Sequence, residues 1–335
     1  MDYPFAPDVS LEKPASFDRL RTRYETYRIT ARERRNRQDV ALNALKRGAP
    51  LSAGDMPLVF ITHNDILLLP YFLGHYRALG VTRFICVDDI SSDGSREYLL
   101  NQHDVDVWAS PLRYGEARRG RNWREALFRE YGLGRWYLNV DSDEFLVYDR
   151  CFEKPLPALI SALEKHGMKR LAAPMLDMYG GPGNSHQGPD DMPWHYSPYF
   201  DASGYTLDID KRGISIKGGP RQRRFGEDNE LMKYPLIFWD KTCHFGSSPH
   251  RPLPYGRNFV DVLGVLLHFK FFTNYREKIA EAAEGKQHYN GSEHYQAMMR
   301  EIENAGGLDF NGDMSARYSG PQQLIELGFI GAVDY

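Results

Sequence analysis

The sequence has few of the features that mark secreted, membrane-spanning or nucleic-acid-binding proteins. Its three cysteines, Cys86, Cys151 and Cys243, share no metal-type spacing and fit a reducing compartment better than a disulfide framework. No run approaches the roughly 18 apolar residues of a membrane span, and no secretory signal is predicted. The formal net charge of −3 gives no overall basic field, which argues against nucleic acid as a partner. We therefore expect a soluble cytoplasmic protein.

The chain does contain enough apolar residues for a large α/β domain. It has 335 residues, 42% of them hydrophobic, and can hold one large domain with additions or two modest domains. Strand patterns at 58–62, 83–87, 105–108 and 137–140 alternate with helical patterns. This alternation predicts a mostly parallel sheet flanked by helices, with ligands bound at the carboxyl ends of the strands.

The segment from Ser16 to Arg47 is predicted to be helical and is strongly basic. It holds ten Lys or Arg residues against four Asp or Glu. One interpretation is that the helix lies on anionic lipid at the inner face of the plasma membrane. The other is that it packs on the domain and its arginines are simply solvated. The thin stripe of Tyr and Ala favours packing.

A short acidic cluster follows the last of these predicted strands. Asp141 and Asp143 flank Ser142 directly after an apolar run. Residues two apart in an extended chain point to one face, so the two carboxylates can converge on one ligand. Carboxylate oxygens suit Mg²⁺ or Mn²⁺ and the phosphates that such ions bridge. The alternative is an acidic turn after a strand.

Two further polar clusters fall at the ends of the first two predicted strands. One contains Thr62 and Asn64, and the other begins with Asp88 and Asp89. The two aspartates precede an Asp-Gly turn, where a carboxylate can accept a hydrogen bond from a base N–H or a ribose hydroxyl. The alternative is an ordinary turn between strand and helix.

A third cluster lies in the apolar run 265–272. His268 and Lys270 are two residues apart there, so both side chains can face one site. An imidazole can complete a metal shell, and an ammonium group can contact phosphate. A satisfied core histidine is the alternative for His268, but a neighbouring lysine makes it less favourable, since lysine is rarely buried unless paired.

The order of these motifs resembles the glycosyltransferase family 2-like group. The segments that carry the resemblance are Thr-His-Asn, then Val-Asp-Asp-Ile-Ser-Ser-Asp-Gly-Ser, then Asn-Val-Asp-Ser-Asp-Glu-Phe. It covers about residues 57–150, and a looser match to a bacterial subgroup runs from Gly218-Gly219-Pro220-Arg221 to Leu267-His268-Phe269-Lys270. The resemblance implies a GT-A, Rossmann-like fold and a nucleotide-sugar donor.

The resemblance also implies roles for particular residues. The family's D-x-D motif binds the metal, a role that falls here on Asp141 and Asp143, with His268 as a further candidate ligand. Family members often carry a nucleotide-contacting Ala-Arg-Asn-like segment, which points to Arg118 or Arg121.

The same resemblance suggests where the catalytic base lies. Family members often take the base from a Glu-Asp pair, which corresponds here to Glu227 and Asp228. That pair lies in a polar Gly-Glu-Asp-Asn context, unlike the usual helix start. Several other aspartates compete for the role: Asp177, Asp208, Asp210 and Asp240.

Together these features predict a glycosyltransferase that uses Mn²⁺ or Mg²⁺. It would move a sugar from a nucleotide-sugar donor, for which we expect a UDP-sugar, to a bacterial glycan or glycolipid. The alternatives are a sugar-phosphate nucleotidyltransferase and a non-catalytic pseudo-transferase. We expect a largely helical N-terminal extension (1–56), a nucleotide-sugar-binding half (57–150), an acceptor-side half (151–275) and a helical C-terminal extension (276–335).

Overall fold

Strands and helices alternate through the first half of the chain. The computed structural model describes residues 1–5, 16–36, 38–181, 192–272, 274–285 and 293–335. The strands are β1 (Asp2–Tyr3), β2 (Asn43–Lys46), β3 (Pro57–Thr62), β4 (Arg83–Asp88), β5 (Val105–Ala109), β6 (Arg135–Asn139), β7 (Glu144–Tyr148), β8 (Arg170–Asp177), β9 (Tyr199–Asp201), β10 (Tyr205–Asp210), β11 (Gly213–Gly218), β12 (Met232–Trp239), β13 (Gly264–His268) and β14 (Ser315–Arg317). The helices are α1 (Ser16–Arg35), α2 (Leu69–Ala78), α3 (Ser95–Leu100), α4 (Arg121–Tyr131), α5 (Leu156–Lys165), α6 (Pro193–Tyr196), α7 (Gly219–Phe225), α8 (Tyr275–Gly285), α9 (Glu293–Ala305) and α10 (Pro321–Glu326), with a 3₁₀ turn at Tyr255–Arg257.

Within the described residues, nine strands form one sheet in the order β2-β5-β4-β3-β6-β12-β8-β13-β7. Parallel pairing joins β3 to β4 and β6, β4 to β5, and β8 to β13. The other pairs are antiparallel. Of these nine described strands, all but β2, β7 and β12 therefore run in one direction. The predicted α/β class, with a mostly parallel sheet flanked by helices, is confirmed.

The two faces of the sheet are covered by different helices because side chains alternate along a strand. Leu58 and Phe60 of β3 join the core cluster that includes α2, whereas Val59 and Ile61 join the one that includes α4. Both clusters are almost fully buried, and each large apolar side chain contributes about 1.5–3 kcal/mol relative to exposure. These four side chains of β3 therefore hold helices onto both faces of the sheet.

The far end of the sheet curls back towards its middle. β7 begins only five residues after β6 ends at Asn139, although three strands lie between them in the sheet. Five extended residues reach about 17 Å, whereas four strand spacings in a flat sheet measure about 19 Å. The curl brings Glu144 and His268, which face each other across β7 and β13, towards the end of β6.

The N-terminal region differs from its prediction beyond Arg35. Helix α1 ends there, and Asn43–Lys46 pairs antiparallel with β5 as an edge strand. Pairing overrides the helical pattern because it satisfies the open edge of β5, and Lys46 Nζ also donates to Leu100 O (3.0 Å). Residues 6–15 of the predicted extension lie outside the described residues. Among the helices that the structure describes, none has the length and apolarity needed to cross a bilayer.

Candidate active site at the carboxyl edge of the sheet

A cavity of about 360 Å³ opens where the strands that share one direction end. Thr62 and Asp89 reach it from β3 and β4, Asp141 and Asp143 from the turn after β6, and His268 from β13. Residues of α8 and α9 close another side. Residues predicted from four separate parts of the sequence therefore line one cavity.

Asp65, which was not predicted as a site residue, organises the turn after β3. Its Oδ2 accepts hydrogen bonds from Thr62 Oγ1 (2.9 Å), from the His63 backbone N–H (3.1 Å) and from the Ser142 hydroxyl. Its other oxygen pairs with Lys278 of α8. One buried carboxylate thus connects the β3 turn, the acidic turn and α8.

Thr62 and Asn64 have different surroundings. Thr62 lines the cavity, whereas Asn64 is not among the lining residues that the structure describes. Asn64 has a positive φ of 55°, and its Oδ1 accepts from the Ser92 backbone N–H (2.8 Å). Its side chain therefore joins the turns that follow β3 and β4.

The two aspartates at the end of β4 also separate. Asp88 is buried and pairs with Arg96 of α3, whose Nε lies 2.7 Å from Oδ2. Asp89 lines the cavity, where it accepts from Arg113 Nε (3.1 Å) and from the Tyr114 backbone N–H (3.3 Å). Burial raises the pKa of Asp89 despite the nearby guanidinium. Of this pair, Asp89 is the one placed to meet a ligand.

Asp141 is held between two cations. One carboxylate oxygen pairs with Arg124 of α4, and the other lies 2.7 Å from Lys233 Nζ of β12. Lys233 also pairs with Glu144, whose Oε2 accepts from the Asp141 backbone N–H (3.0 Å). Burial alone would raise the pKa of Asp141, but Lys233 and Arg124 hold it well below its usual range.

Asp143 instead faces an imidazole. Its Oδ2 lies 3.3 Å from His268 Nε2, and His268 Nδ1 lies 2.6 Å from Asp177 Oδ1 at the end of β8. Burial opposes charging of the imidazole, but the two carboxylates raise the pKa of His268 to about 9. The pKa of Asp143 is lowered to about 2, because His268 outweighs the effect of burial. Asp141 and Asp143 lie in a turn, not an extended strand, yet both line the cavity.

A buried ion-pair chain supports this imidazole from behind. Asp177 Oδ2 accepts from Arg221 Nε (2.7 Å), and Arg221 Nη1 lies 3.3 Å from Glu227 Oε2. Asp228 is exposed and pairs with Lys217 (2.6 Å). Among the described cavity-lining residues, neither Glu227 nor Asp228 appears. Glu227 is therefore placed to hold Arg221, and through it Asp177.

Arg118 and Arg121 are engaged by protein groups away from the cavity. Arg118 Nη1 lies 2.7 Å from Glu33 Oε2 of α1. Arg121 is buried, donates to the backbone oxygens of Arg118 (2.8 Å) and Gly246, and has its pKa lowered to about 10 by burial. The neighbouring Arg113, in contrast, reaches the cavity.

Two lysines add positive charge beside the acidic turn. Lys270 lines the cavity and donates to the hydroxyl of Tyr295 (2.5 Å). Lys278 of α8 lines it as well, and nearby carboxylates raise its pKa against the effect of burial. Glu281, one turn further along α8, lies 2.6 Å from His63 Nε2. Helix α8 is therefore fastened to the turn after β3 across the cavity.

The donor atoms around Asp143 fit a divalent cation. Among the described residues, one set of candidate metal ligands lies within 4.8 Å of one another and consists of Asp143, Glu144 and His268. Asp177 accepts from His268 Nδ1, which directs Nε2 towards Asp143, the usual support of a metal-binding histidine. Carboxylate and imidazole together suit Mn²⁺, although a proton on Nε2 must first leave. Asp141 is not part of this set, and cations contact both of its oxygens.

Some of the site residues that were not predicted still have a recognisable signal in the sequence, and others have none. Lys233 interrupts an apolar strand pattern, and such a lysine signals a buried ion pair. Asp65 lies three residues after Thr62, and this short separation lets their side chains form a hydrogen bond (2.9 Å). Lys278 offers no local signal, because only the packing of α8 brings it to the cavity.

Comparisons with known proteins identify no family. No family model matches the sequence, and no curated protein matches it either. Several solved structures show slight likeness. A mannosyltransferase from Pyrobaculum calidifontis in complex with GDP-Man and Mn²⁺ is 12% identical, covers 94% of this chain and 77% of its own, and has a TM-score of 0.31.

Two other solved structures show a likeness of similar strength. A putative glucose-1-phosphate thymidylyltransferase from Bacillus anthracis is 12% identical, covers 56% of this chain and 72% of its own, and has a TM-score of 0.30. A 4-diphosphocytidyl-2C-methyl-D-erythritol synthase is 15% identical, covers 55% and 75%, and has a TM-score of 0.26. At these TM-scores the likenesses support no assignment of family or activity.

Proposed function

We propose that this protein is a metal-dependent glycosyltransferase that takes a sugar from a nucleotide-sugar donor, for which we expect a UDP-sugar. The acceptor would be a glycan or a glycolipid. The observation that carries the proposal is the pairing of Asp143 Oδ2 with His268 Nε2 at 3.3 Å, in a cavity that also holds Lys270 and Lys278. Metal donors beside phosphate-binding cations are what a metal-bound diphosphate requires.

The residues around Asp143 would hold the metal and the diphosphate. Asp143 and His268 supply donor atoms, and Asp177 keeps the imidazole oriented. A bound Mn²⁺ or Mg²⁺ would neutralise the charge that develops on the leaving diphosphate. Lys270 and Lys278 reach the same cavity and would contact phosphate oxygens as point charges.

The opposite side of the cavity would hold the nucleoside. Asp89 faces the cavity with Thr62, and its carboxylate can accept from a base N–H or a ribose hydroxyl. Arg113 lies against Asp89, so it both fixes that carboxylate and adds a donor. Four other residues that were predicted to bind the donor would then support the loops of the site without touching the donor: Asn64, Asp88, Arg118 and Arg121.

We assign the role of catalytic base to no single residue. Inverting transfer needs a carboxylate next to the acceptor hydroxyl. Glu227 and Asp228 remain predictions from the family resemblance, and their ion pairs with Arg221 and Lys217 already account for both carboxylates. Each of the two carboxylates can be substituted, and the variant assayed both for turnover and for nucleotide binding. Loss of turnover with unchanged nucleotide binding would identify a base, whereas loss of both would identify a structural acid.

One experiment distinguishes the proposed activity from the nucleotidyltransferase alternative. The protein is incubated with Mn²⁺ and either a panel of nucleotide sugars or a panel of nucleoside triphosphates with sugar 1-phosphates. The proposal predicts release of nucleoside diphosphate from a nucleotide sugar. Pyrophosphate release from the triphosphate reactions, with nucleotide sugars left intact, would contradict it. The pseudo-transferase alternative predicts binding without either product.

A further inference from the structure

Helix α1 has one face that packs on the domain. The buried positions recur at helical spacing: Thr22, Glu25, Ile29 and Glu33. Ile29 packs with Leu253 and Tyr255 in a small apolar cluster. This face also holds the helix's buried acids, and cations neutralise both, for example Arg212 at Glu25 and Arg118 at Glu33.

The opposite face carries an exposed apolar ridge. Leu20, Tyr24 and Tyr27 are 62%, 68% and 73% exposed, and their i, i+4, i+7 spacing places them in one line. A line of large exposed side chains on one helix face is the pattern of an interaction surface, whereas single exposed apolar residues are ordinary.

Arginines flank this ridge on both sides. Arg23 and Arg34 share the side of Tyr27 by their spacing, and Arg35 shares the side of Tyr24. All three are exposed and form no ion pair with any other residue that the structure describes. By the same spacing, the acids of α1 fall on the packed side of the helix. The ridge and these arginines, Leu20, Arg23, Tyr24, Tyr27, Arg34 and Arg35, are called the arginine-flanked face below.

We propose that the arginine-flanked face binds an anionic lipid surface. Tyrosine suits the boundary between headgroups and acyl chains, because its ring is apolar and its hydroxyl is polar. Arginine beside it can extend its apolar stem along the lipid and place its charge at anionic headgroups. Charge complementarity favours anionic lipid as the partner, because the face has an apolar line flanked by several cations and contains no acid.

The position of α1 connects this surface to the cavity. Glu33, in the last turn of α1, holds Arg118, and the same loop carries Arg113 and Tyr114 into the cavity lining. A membrane under the arginine-flanked face would therefore lie near the loop that borders the cavity. The inference rests on the proposed function in this respect, because it makes the acceptor a lipid-linked one.

Cosedimentation of the full-length protein with vesicles tests the proposal. Vesicles of phosphatidylcholine, with and without phosphatidylglycerol, are compared at low and high salt. We expect binding to the anionic vesicles alone, with release by salt. Replacing these three arginines together (Arg23→Gln, Arg34→Gln, Arg35→Gln) should weaken binding by on the order of 100-fold, which corresponds to about fivefold per arginine. Tyr24→Ser with Tyr27→Ser should weaken it without changing charge.

A matched control removes the same charge elsewhere. Lys241→Gln, Arg300→Gln and Arg317→Gln together also neutralise three exposed cations, and this variant should bind vesicles like the wild type. Equal binding by the two triple variants, or no binding of the wild type to anionic vesicles, would overturn the proposal. Binding to soluble polyglutamate but not to vesicles would assign the face to an acidic protein partner, and this result would also overturn the proposal. UDP titration of the same variants separates this outcome from the proposed activity, because none of these residues lines the cavity.

Discussion

At the scale of single residues, the two aspartates of the acidic turn illustrate how neighbours decide a role. Asp141 and Asp143 both line the cavity, but Arg124 and Lys233 neutralise the first, whereas an imidazole faces the second. A carboxylate with both oxygens in ion pairs gains little from a metal ion. The proposed metal-binding role therefore rests more heavily on Asp143.

Asp143→Asn should weaken Mn²⁺ binding in the absence of nucleotide. Loss of a ligand should cost at least the roughly 10- to 100-fold that the loss of an outer-shell partner costs. The free Mn²⁺ signal in electron paramagnetic resonance measures this affinity directly. Asp104→Asn is the matched control, since Asp104 pairs with Arg77 away from the cavity, and it should bind Mn²⁺ like the wild type. Unchanged affinity in Asp143→Asn would place the metal elsewhere.

His268 should make the stability of the metal-free protein fall as pH rises. Its pKa is near 6.5 when unfolded and about 9 when folded, so its contribution is complete below pH 6.5 and is lost as pH rises through 9. The folded state then holds the extra proton, and the free energy of unfolding decreases by on the order of 2–3 kcal/mol. Urea unfolding at several pH values measures this slope.

His268→Gln provides the comparison for that slope. The variant lacks the titrating imidazole but keeps every other titratable group of the protein. Its free energy of unfolding should therefore change less between pH 6.5 and 9 than that of the wild type. Parallel curves for the two proteins would show that the charged imidazole contributes no stability.

Single residues of the site were predictable where local chemistry marked them. Asp89 and His268 lie at the ends of strands and Asp143 lies in the acidic turn, and the cavity holds all three. The ion pairs of Arg124, Lys233 and Lys278 were not predictable, because each partner lies on a different element and only tertiary packing joins them.

At the scale of elements, the junction of β11 and α7 depends on a glycine pair. Gly218 and Gly219 have φ values of +132° and +78°, a region that side chains strongly disfavour. A Cβ on Gly218 would also lie 2.4 Å from the backbone oxygen of Gly204 and 2.7 Å from Tyr205 Cα. This junction places Arg221 against Asp177, so its geometry reaches the cavity through His268.

Gly218→Ala should therefore destabilise the protein by about 2–5 kcal/mol, from backbone strain together with a clash against backbone atoms. Gly226→Ala is the matched control, because its φ is +67° and nothing lies within 4 Å of the added Cβ. Strain alone should cost the control about 1–2 kcal/mol. Urea unfolding compares the two variants. Equal losses in the free energy of unfolding would mean that the neighbouring backbone of β10 moves aside at no energetic cost.

Elements joined by local pairing were easier to predict than elements joined across the chain. The run from β3 to β6 follows the alternation of strand and helix patterns in the sequence. The insertion of β12 between β6 and β8, antiparallel to both, has no local signal, because it depends on pairing between distant segments. The same holds for β2, whose segment was predicted as helix.

At the scale of the whole molecule, the site is assembled from segments far apart in the sequence. β3, β4, β6, β8 and β13 end at one edge, and the curl of the sheet brings β13 and β7 to the end of β6. α8 then crosses from the other side and adds Lys278 and Glu281. We predict that this assembly binds a diphosphate through a cation, since the carboxylate of Asp143 would otherwise repel it.

Calorimetric titration with UDP, in Mn²⁺ and in a chelator, tests that central claim most directly. We predict that Mn²⁺ tightens UDP binding by about tenfold or more, a typical coupling between two ligands, and that Asp143→Asn loses this gain while remaining folded. Equal UDP affinity in Mn²⁺ and in the chelator would contradict the account, because the cavity would then bind the diphosphate without a metal or would not be its site.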